Sequence, residues 1–125
     1  MSTIALTEEN FVSTIEDNSI VLIDFWAEWC APCRMFGPVF EQSSEQHDDI
    51  VFAKVDTEAQ QNLAGAMGIT SIPTLMAFRE GIGVFAQPGA MQSASLEKLI
   101  EAIRDLDMDE VRAQIEQQQK DAATN

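Results

Sequence analysis

The sequence is poor in basic residues. Lys and Arg together number 7 against 21 Asp and Glu, so the chain of 125 residues carries a formal net charge of -14. Seven dispersed cations cannot build a basic surface of useful size, and a polyanion or an anionic membrane would repel such a chain. We therefore expect no nucleic-acid partner and no membrane partner.

Long apolar runs are also missing. No stretch approaches the ~20 residues that a membrane-spanning helix requires. The first residues, MSTIALTEE, lack the basic and apolar regions of a secretory signal. We therefore expect a soluble, cytoplasmic protein. Hydrophobic residues still make up 46% of the chain, which is enough to bury the core of one domain of this length.

Cysteine and histidine are scarce. The chain has Cys30, Cys33 and His47, and no others of these types. Two cysteines are too few for a disulfide scaffold, and with one histidine they fall short of the four ligands of a structural zinc site. A phosphate-binding glycine motif is absent as well. We predict no metal and no bound cofactor, and a cysteine pair this close then indicates redox chemistry.

Hydrophobic periodicity predicts alternating strands and helices. Short apolar runs rich in β-branched residues predict strands, and apolar residues at helical spacing predict helices. The predicted strands are 20–26, 50–56, 74–78 and 84–86, and the predicted helices are about 8–17, 32–47, 58–67 and 93–103. Alternation of this kind indicates an α/β fold with helices on both faces of one sheet.

The last residues differ in composition. We predict a domain over residues 1–106 and an acidic C-terminal extension over residues 107–125. Asp107 has the position of a helix N-cap, and Met108, Val111 and Ile115 form a thin apolar stripe. The polar residues that follow predict a short helix that ends in a disordered tail. The alternative is a helix docked on the domain or on a partner.

The cysteine pair lies where a strand leads into a helix. Only a thiolate attacks a disulfide, and the partial positive charge at a helix N-terminus favours the thiolate. Cys30 lies at this N-terminus, and Cys33 lies one helical turn deeper on the same side. We therefore predict that Cys30 is the exposed attacking thiol and that Cys33 is the buried resolving thiol.

One acidic residue interrupts the apolar run 20–26. Strict alternation places Asp24 inside, with Leu22 and Trp26. Burial of a carboxylate raises its pKa, so that it can exchange a proton near neutral pH. One interpretation makes Asp24 the base for the Cys33 thiol, and the other makes it a structural buried acid paired with Lys54.

The segment Asp24–Cys33, DFWAEWCAPC, closely resembles the active-site segment of thioredoxins. The resemblance covers about residues 4–106. It continues through Pro38, Lys54, the run Ile69–Leu75 (ITSIPTL) and the residues Gly81, Gly89 and Ala90. It implies the thioredoxin fold, a central mixed sheet flanked by four helices.

The resemblance also implies a function. A protein-disulfide reductase is expected, which takes part in electron transport and redox homeostasis and acts on proteins with accessible disulfides. It would be a monomer, recharged by thioredoxin reductase with electrons from NADPH. The first residue between the cysteines, Ala31, departs from the commonest family motif, which has Gly there.

The resemblance assigns roles residue by residue. The catalytic residues would be Cys30, Cys33, Asp24 and Lys54, the two cysteines forming the redox disulfide. The backbone of Ile72, before an expected cis Pro73, would pair with the substrate. An apolar collar around the reactive sulfur would consist of Trp29, Ala31, Pro32, Gly89 and Ala90.

Two other functions compete with this one. Oxidation or isomerisation of disulfides would use the same cysteines, but Pro32 stands where such relatives usually carry His. The second alternative is a redox-sensitive binding module, in which the collar grips a partner without turnover.

Overall fold

The computed structural model describes residues 3–124 of the chain, with strands and helices alternating along most of it. The strands are β1 (Thr3–Ala5), β2 (Ile20–Trp26), β3 (Val51–Asp56), β4 (Thr74–Arg79) and β5 (Ile82–Pro88). The helices are α1 (Phe11–Asp17), α2 (Ala31–Gln46), α3 (Gln61–Ala66), α4 (Ser93–Arg104) and α5 (Met108–Thr124). Residues 1, 2 and 125, which belong to the predicted domain and extension, lie outside the described residues.

The strands form one mixed sheet in the order β1-β3-β2-β4-β5. β1, β3 and β2 pair in parallel, whereas β4 and β5 are antiparallel to their neighbours. β2 lies at the centre, and its residues from Ile20 to Phe25 are all buried. A nearly continuous apolar run is what a central strand covered on both faces requires. The predicted α/β fold is confirmed.

Two apolar clusters cover the two faces of β2. On one face Leu22 packs with Phe36 and Phe40 of α2 and with Ile100 of α4. On the other face, Val21, Ile23 and Phe25 pack with residues of α1 and α3. Because successive side chains of a strand alternate, Asp24 belongs to the face covered by α2.

Several helices and strands begin or end at other residues than predicted. β1 was not predicted, because three residues are too few for a periodic pattern. α1 begins only at Phe11, after a turn in which Asn10 Oδ1 accepts the Thr7 N–H at 2.7 Å. α3 begins only at Gln61, because Asp56 Oδ1 accepts the N–H groups that open a turn at 57–59. Short polar side chains compete with helix hydrogen bonds in this way.

The helix in the C-terminal extension is longer than predicted. Asp107 is the predicted cap, since its Oδ1 accepts the N–H groups of Asp109 and Glu110 at 3.1 and 3.2 Å. The predicted disordered tail is wrong for residues 117–124, because α5 continues to Thr124. Residues 113–123 are rich in Ala and Gln and contain neither Gly nor Pro, which favours a helix.

The first turns of α5 dock on the domain. Met108 is buried, and Arg112 forms an ion pair with Glu80 in the turn after β4. Arg79 fixes the preceding junction: its Nη1 donates to the carbonyl oxygens of Ile103, Arg104 and Leu106 at 2.7 to 3.1 Å. These hydrogen bonds join the end of α4 and the segment before α5 to β4.

A chain that ends at Leu106 should fold. It loses the buried Met108, worth roughly 1.5–3 kcal/mol, and one exposed ion pair, worth about 1 kcal/mol or less. We expect cooperative unfolding in denaturant with a free energy of unfolding about 2–4 kcal/mol lower. Arg112→Ala, which removes the exposed pairs of Arg112 with Glu80 and Asp109 and keeps Met108, is the control and should cost about 1 kcal/mol or less. A truncated chain without a cooperative transition would contradict the predicted domain boundary.

Candidate active site

The cysteine pair lies at the end of β2, where α2 begins. Cys30 is the N-cap of α2, and its Sγ accepts the Cys33 N–H at 3.2 Å. The two cysteines form a disulfide, with their Cα atoms 5.2 Å apart. Pro32 occupies the first turn of α2. The N–H groups of a first turn have no acceptor within the helix, so the N–H that proline lacks is not needed there. The free N–H groups of this turn favour negative charge on the Cys30 sulfur.

The two sulfurs differ in surroundings but not in exposure. Cys30 and Cys33 are each 4% exposed, so the expected exposure of Cys30 is wrong for the disulfide form. The reason is packing: both cysteines contact Ala27, Trp26 and Ile72 in one apolar cluster. Cys30 nevertheless lines an open groove of about 600 Å³, whereas Cys33 does not. Cys30 therefore borders the larger of two spaces beside the pair, since Cys33 lines a separate cavity of about 270 Å³.

The loop before β4 faces the disulfide. The Ile72–Pro73 peptide bond is cis, which the resemblance implied. The Ile72 carbonyl oxygen lies 3.7 Å from Cys30 Sγ. A disulfide sulfur has no proton to donate, so this is a close approach here, and a Cys30 thiol would have the oxygen as an acceptor. The Pro73 carbonyl oxygen accepts the Gly89 N–H at 2.8 Å, with Gly89 at a φ of +104°.

The collar residues are only partly brought together. Trp29, Ala31, Pro32 and Ile72 line the groove beside Cys30. Trp29 is 66% exposed, and its Nε1 donates to Glu58 Oε1 at 2.6 Å. Pro73, Gly89 and Ala90 do not line the groove, and Gly89 and Ala90 are exposed beside it.

Sequence reasoning missed the far wall of the groove. It consists of Thr57, Gln61, Ala64, Gly65 and the segment 69–71. Only 69–71 carried a signal, as part of the run that resembles thioredoxins. The others are small or uncharged residues with no motif, and only the packing of α3 beside Cys30 reveals them.

Asp24 is fully buried, as alternation predicts. The residue is 0% exposed, and neither carboxylate oxygen has a hydrogen-bond partner in the described protein. Burial raises the pKa of Asp24 from the usual 3.8 to about 7, against the opposing positive charge of Lys54. The carboxyl group therefore changes protonation state near neutral pH.

Lys54 lies next to Asp24 across the sheet. The two residues are Cα partners in the β2–β3 pair, but no hydrogen bond joins their side chains. Lys54 Nζ lies 5.0 Å from the centroid of the Trp26 ring. Lys54 also lines a cavity of about 270 Å³ together with Cys33 and Glu41. Lys54 therefore acts on Asp24 through its charge, and the direct pairing of the two is wrong.

Within residues 3–124 no helix is both long and apolar enough to span a membrane. In the same part of the chain, no group of three or more His, Cys, Asp or Glu side chains is placed to hold a metal ion.

Comparisons of the sequence and of the structure with known proteins all indicate the same family. The sequence model named Thioredoxin matches residues 2–102. "Putative thioredoxin 2" of Streptomyces coelicolor is 60% identical over 121 residues, which cover 97% of this chain and 90% of that protein. "Thioredoxin C-3" of Corynebacterium nephridii is 41% identical over 99 residues, covering 78% of this chain and 68% of that one. A mutant thioredoxin from Halobacterium salinarum superposes with a TM-score of 0.76 at 36% identity, covering 83% of this chain and 91% of that chain.

A cysteine pair at the start of a helix, with a cis-proline loop against it on a mixed sheet, defines a dithiol–disulfide oxidoreductase. Cys30 and Cys33 are its Cys-x-x-Cys active site for thiol–disulfide exchange. The chain belongs to the thioredoxin family.

Replacement of Asp24 by Asn tests the buried charge. The pKa of Asp24 is higher in the folded than in the unfolded chain, so protonation stabilises the fold. This stabilisation is complete below about pH 4 and is lost as the pH rises to about 7, a total on the order of 4 kcal/mol. Asp24→Asn should therefore gain stability over the wild type as the pH rises across this range, measured by denaturant unfolding of the oxidised protein at pH 5 and 8.

The control for this experiment is Asp17→Asn. Asp17 is an exposed residue at the end of α1, and its replacement removes the same formal charge without removing a buried one. A difference between wild type and Asp24→Asn that stays constant from pH 5 to 8 would contradict a buried carboxylate that titrates near neutral pH.

Proposed function

We propose that this protein is a protein-disulfide reductase, with Cys30 as the attacking thiol and Cys33 as the resolving thiol. One observation carries the proposal: Cys30 Sγ accepts the Cys33 N–H at the start of α2 and borders an open groove. A sulfur in this position is stabilised as a thiolate and can be reached by another sulfur.

The reaction consists of two exchanges. Cys30 thiolate attacks one sulfur of the substrate disulfide, forms a mixed disulfide and releases the other substrate sulfur as a thiolate, which takes a proton. Cys33 thiolate then attacks Cys30 Sγ, so that the second substrate thiol leaves. Two electrons pass from the protein dithiol to the substrate, and the Cys30–Cys33 disulfide remains.

Asp24 serves as the base that accepts the Cys33 proton in the second exchange. Two observations support this role of Asp24. The pKa of Asp24 is raised to about 7, and Asp24 lies on the sheet face covered by α2, the helix that carries Cys33. A base whose pKa lies near the working pH is the most effective at proton transfer. Lys54 keeps this pKa from rising further through its positive charge.

The substrate segment lies along the groove, with the Ile72 backbone beside the target sulfur. Support comes from the approach of the Ile72 carbonyl oxygen to Cys30 Sγ. Trp29, Ala31 and Pro32 contact the segment on one side. Pro73, Gly89 and Ala90, which do not line the groove, contact the segment where it leaves the groove past Ile72. They belong to a loop pair joined by the Gly89 N–H bond to the Pro73 carbonyl oxygen.

The oxidised protein must regain two electrons in each cycle. Members of the thioredoxin family usually receive them from thioredoxin reductase, which uses NADPH, and we assign the same partner to this chain. The protein acts as a monomer in the cytoplasm. The electrons pass through the cysteines themselves, so the cycle requires no cofactor bound to this chain.

Serine variants of the two cysteines test the assignment of attacker and resolver. In insulin reduction with dithiothreitol, Cys30→Ser should lower the rate to that of dithiothreitol alone, because no attacking thiolate remains. Cys33→Ser should instead accumulate a mixed disulfide with the substrate, which non-reducing electrophoresis detects. Equal turnover by wild type and Cys30→Ser would rule out the proposed reductase.

Single-turnover kinetics test the role of Asp24. Asp24→Asn should form the mixed disulfide at the wild-type rate and resolve it more slowly near pH 7, by roughly 10²-fold or more, since general bases contribute 10²–10⁴-fold. Rapid acid quench followed by mass spectrometry separates the two steps. Lys54→Met, which keeps all but the last atom of the side-chain length, is the companion variant. It should move the pH dependence of resolution upwards, because the positive charge that lowers the Asp24 pKa is lost. Resolution by Asp24→Asn at the wild-type rate would remove Asp24 from the mechanism.

A further inference from the structure

Met35 carries the most exposed large apolar side chain in the described part of the chain, with 74% of its surface accessible. It lies on α2, two residues after Cys33. Residues four apart lie on one face of a helix, so Met35 is beside Ala31, one turn further from the start of α2. Ala31 borders the groove that Cys30 lines. The exposed thioether therefore lies next to the surface through which Cys30 is reached.

The other methionines in the described part of the chain are covered by the fold. Met108 is buried, and Met67, Met76 and Met91 are half-buried against the two apolar clusters. Oxidation of a sulfur depends on how well the oxidant can reach it. Met35 is therefore the methionine that a dissolved oxidant reaches most readily.

The disulfide leaves Met35 as the accessible sulfur of the oxidised protein. Cys30 and Cys33 are each 4% exposed and, as a disulfide, have no thiolate to attack an oxidant. In the reduced protein the Cys30 thiolate is the stronger nucleophile, so it reacts with a peroxide before a thioether does. Oxidation therefore proceeds in two stages: the cysteines form their disulfide first, and Met35 is the next sulfur to react.

We propose that Met35 is a peroxide-sensitive modification site that controls the reduction of protein disulfides. The Met35 sulfur takes one oxygen atom from hydrogen peroxide, the O–O bond breaks, and water leaves. The thioether loses two electrons, and the peroxide gains them. The product is methionine sulfoxide, which is polar where the thioether was apolar. The inference rests on the proposed reductase function and names a regulation of the same site.

The consequence depends on the size of the substrate. Trp29, Ala31 and Pro32 are exposed around Cys30, and Met35 continues this apolar surface along α2. A protein whose disulfide reaches Cys30 covers the surface around it, whereas a small disulfide contacts little beyond the sulfur. A sulfoxide at Met35 removes apolar contact and adds an oxygen that loses hydration when a protein covers it. Protein substrates are therefore weakened, and small ones are not.

Peptide mapping measures the order of oxidation. The oxidised protein is incubated with hydrogen peroxide, desalted, digested and analysed by mass spectrometry for sulfoxide at each methionine. We expect Met35 to be oxidised about threefold or more faster than Met67, Met76, Met91 and Met108, because its sulfur is the most accessible. Oxidation of Met35 no faster than that of a half-buried methionine would overturn the proposed site.

Reduction rates with excess dithiothreitol measure the consequence. Sulfoxide at Met35 should lower kcat/KM for insulin about three- to tenfold, the loss expected for roughly one or two methylene groups of apolar contact. The rate for hydroxyethyl disulfide, a small substrate, should stay unchanged. The two methionine sulfoxide reductases, one for each epimer, should restore the insulin rate. Met35→Leu, which stays apolar and cannot be oxidised, should keep its insulin rate after peroxide treatment.

Two glutamine variants locate the effect without peroxide. Met35→Gln places a polar, uncharged side chain at the same position and should lower kcat/KM for insulin about three- to tenfold. Val12→Gln is the matched control, because Val12 is 62% exposed on α1, on the sheet face opposite to α2. It should leave the rates for insulin and for hydroxyethyl disulfide unchanged.

The outcomes separate the Met35 site from the reductase. Hydroxyethyl disulfide reports the exchange reaction itself, so failure of the untreated wild type to reduce it would overturn the proposed function. Its reduction, together with equal insulin rates before and after oxidation of Met35, would overturn the Met35 site and leave the reductase standing. A loss after peroxide treatment that Met35→Leu shares with the wild type would do the same.

Discussion

The burial of β2 between two helical layers is the constraint on which the site depends. Apolar clusters hold the strand from both faces, so its last residues and the start of α2 have one position relative to the rest of the sheet. Cys30 follows directly and becomes the N-cap of α2, with the Cys33 N–H aimed at its sulfur. The reactive sulfur is thus positioned by a packed core, although it lies beside an open groove.

The same burial explains why the ionised form of Asp24 destabilises the fold. A carboxyl group in the middle of the most covered strand loses its hydration and finds no hydrogen-bond partner in the described protein, so its pKa rises to about 7. A fully ionised state is therefore unfavourable at neutral pH. Lys54 across the sheet limits this cost through its positive charge.

Charge is distributed unevenly around the disulfide. The chain is strongly acidic, but the groove that leads to Cys30 has an uncharged lining, and the carboxylates nearest to it lie behind Trp29. Long-range attraction and local fit are therefore set by different residues. Net charge acts on a partner at long range, whereas the uncharged lining is the surface next to the cysteine pair.

The sequence by itself determined the strand β2, the helix after it, the place of the two cysteines and the burial of Asp24, because these depend on local periodicity and on a motif of contiguous residues. The starts of α1 and α3 were decided by side chains of Asn10 and Asp56, whose bonds to nearby N–H groups leave no periodic signal. Tertiary structure alone decided the 4% exposure of Cys30 and the wall formed by Thr57 and Gly65. Exposure and grooves arise where distant segments meet, and the spacing of residues along a chain contains no information about that meeting until the segments have packed.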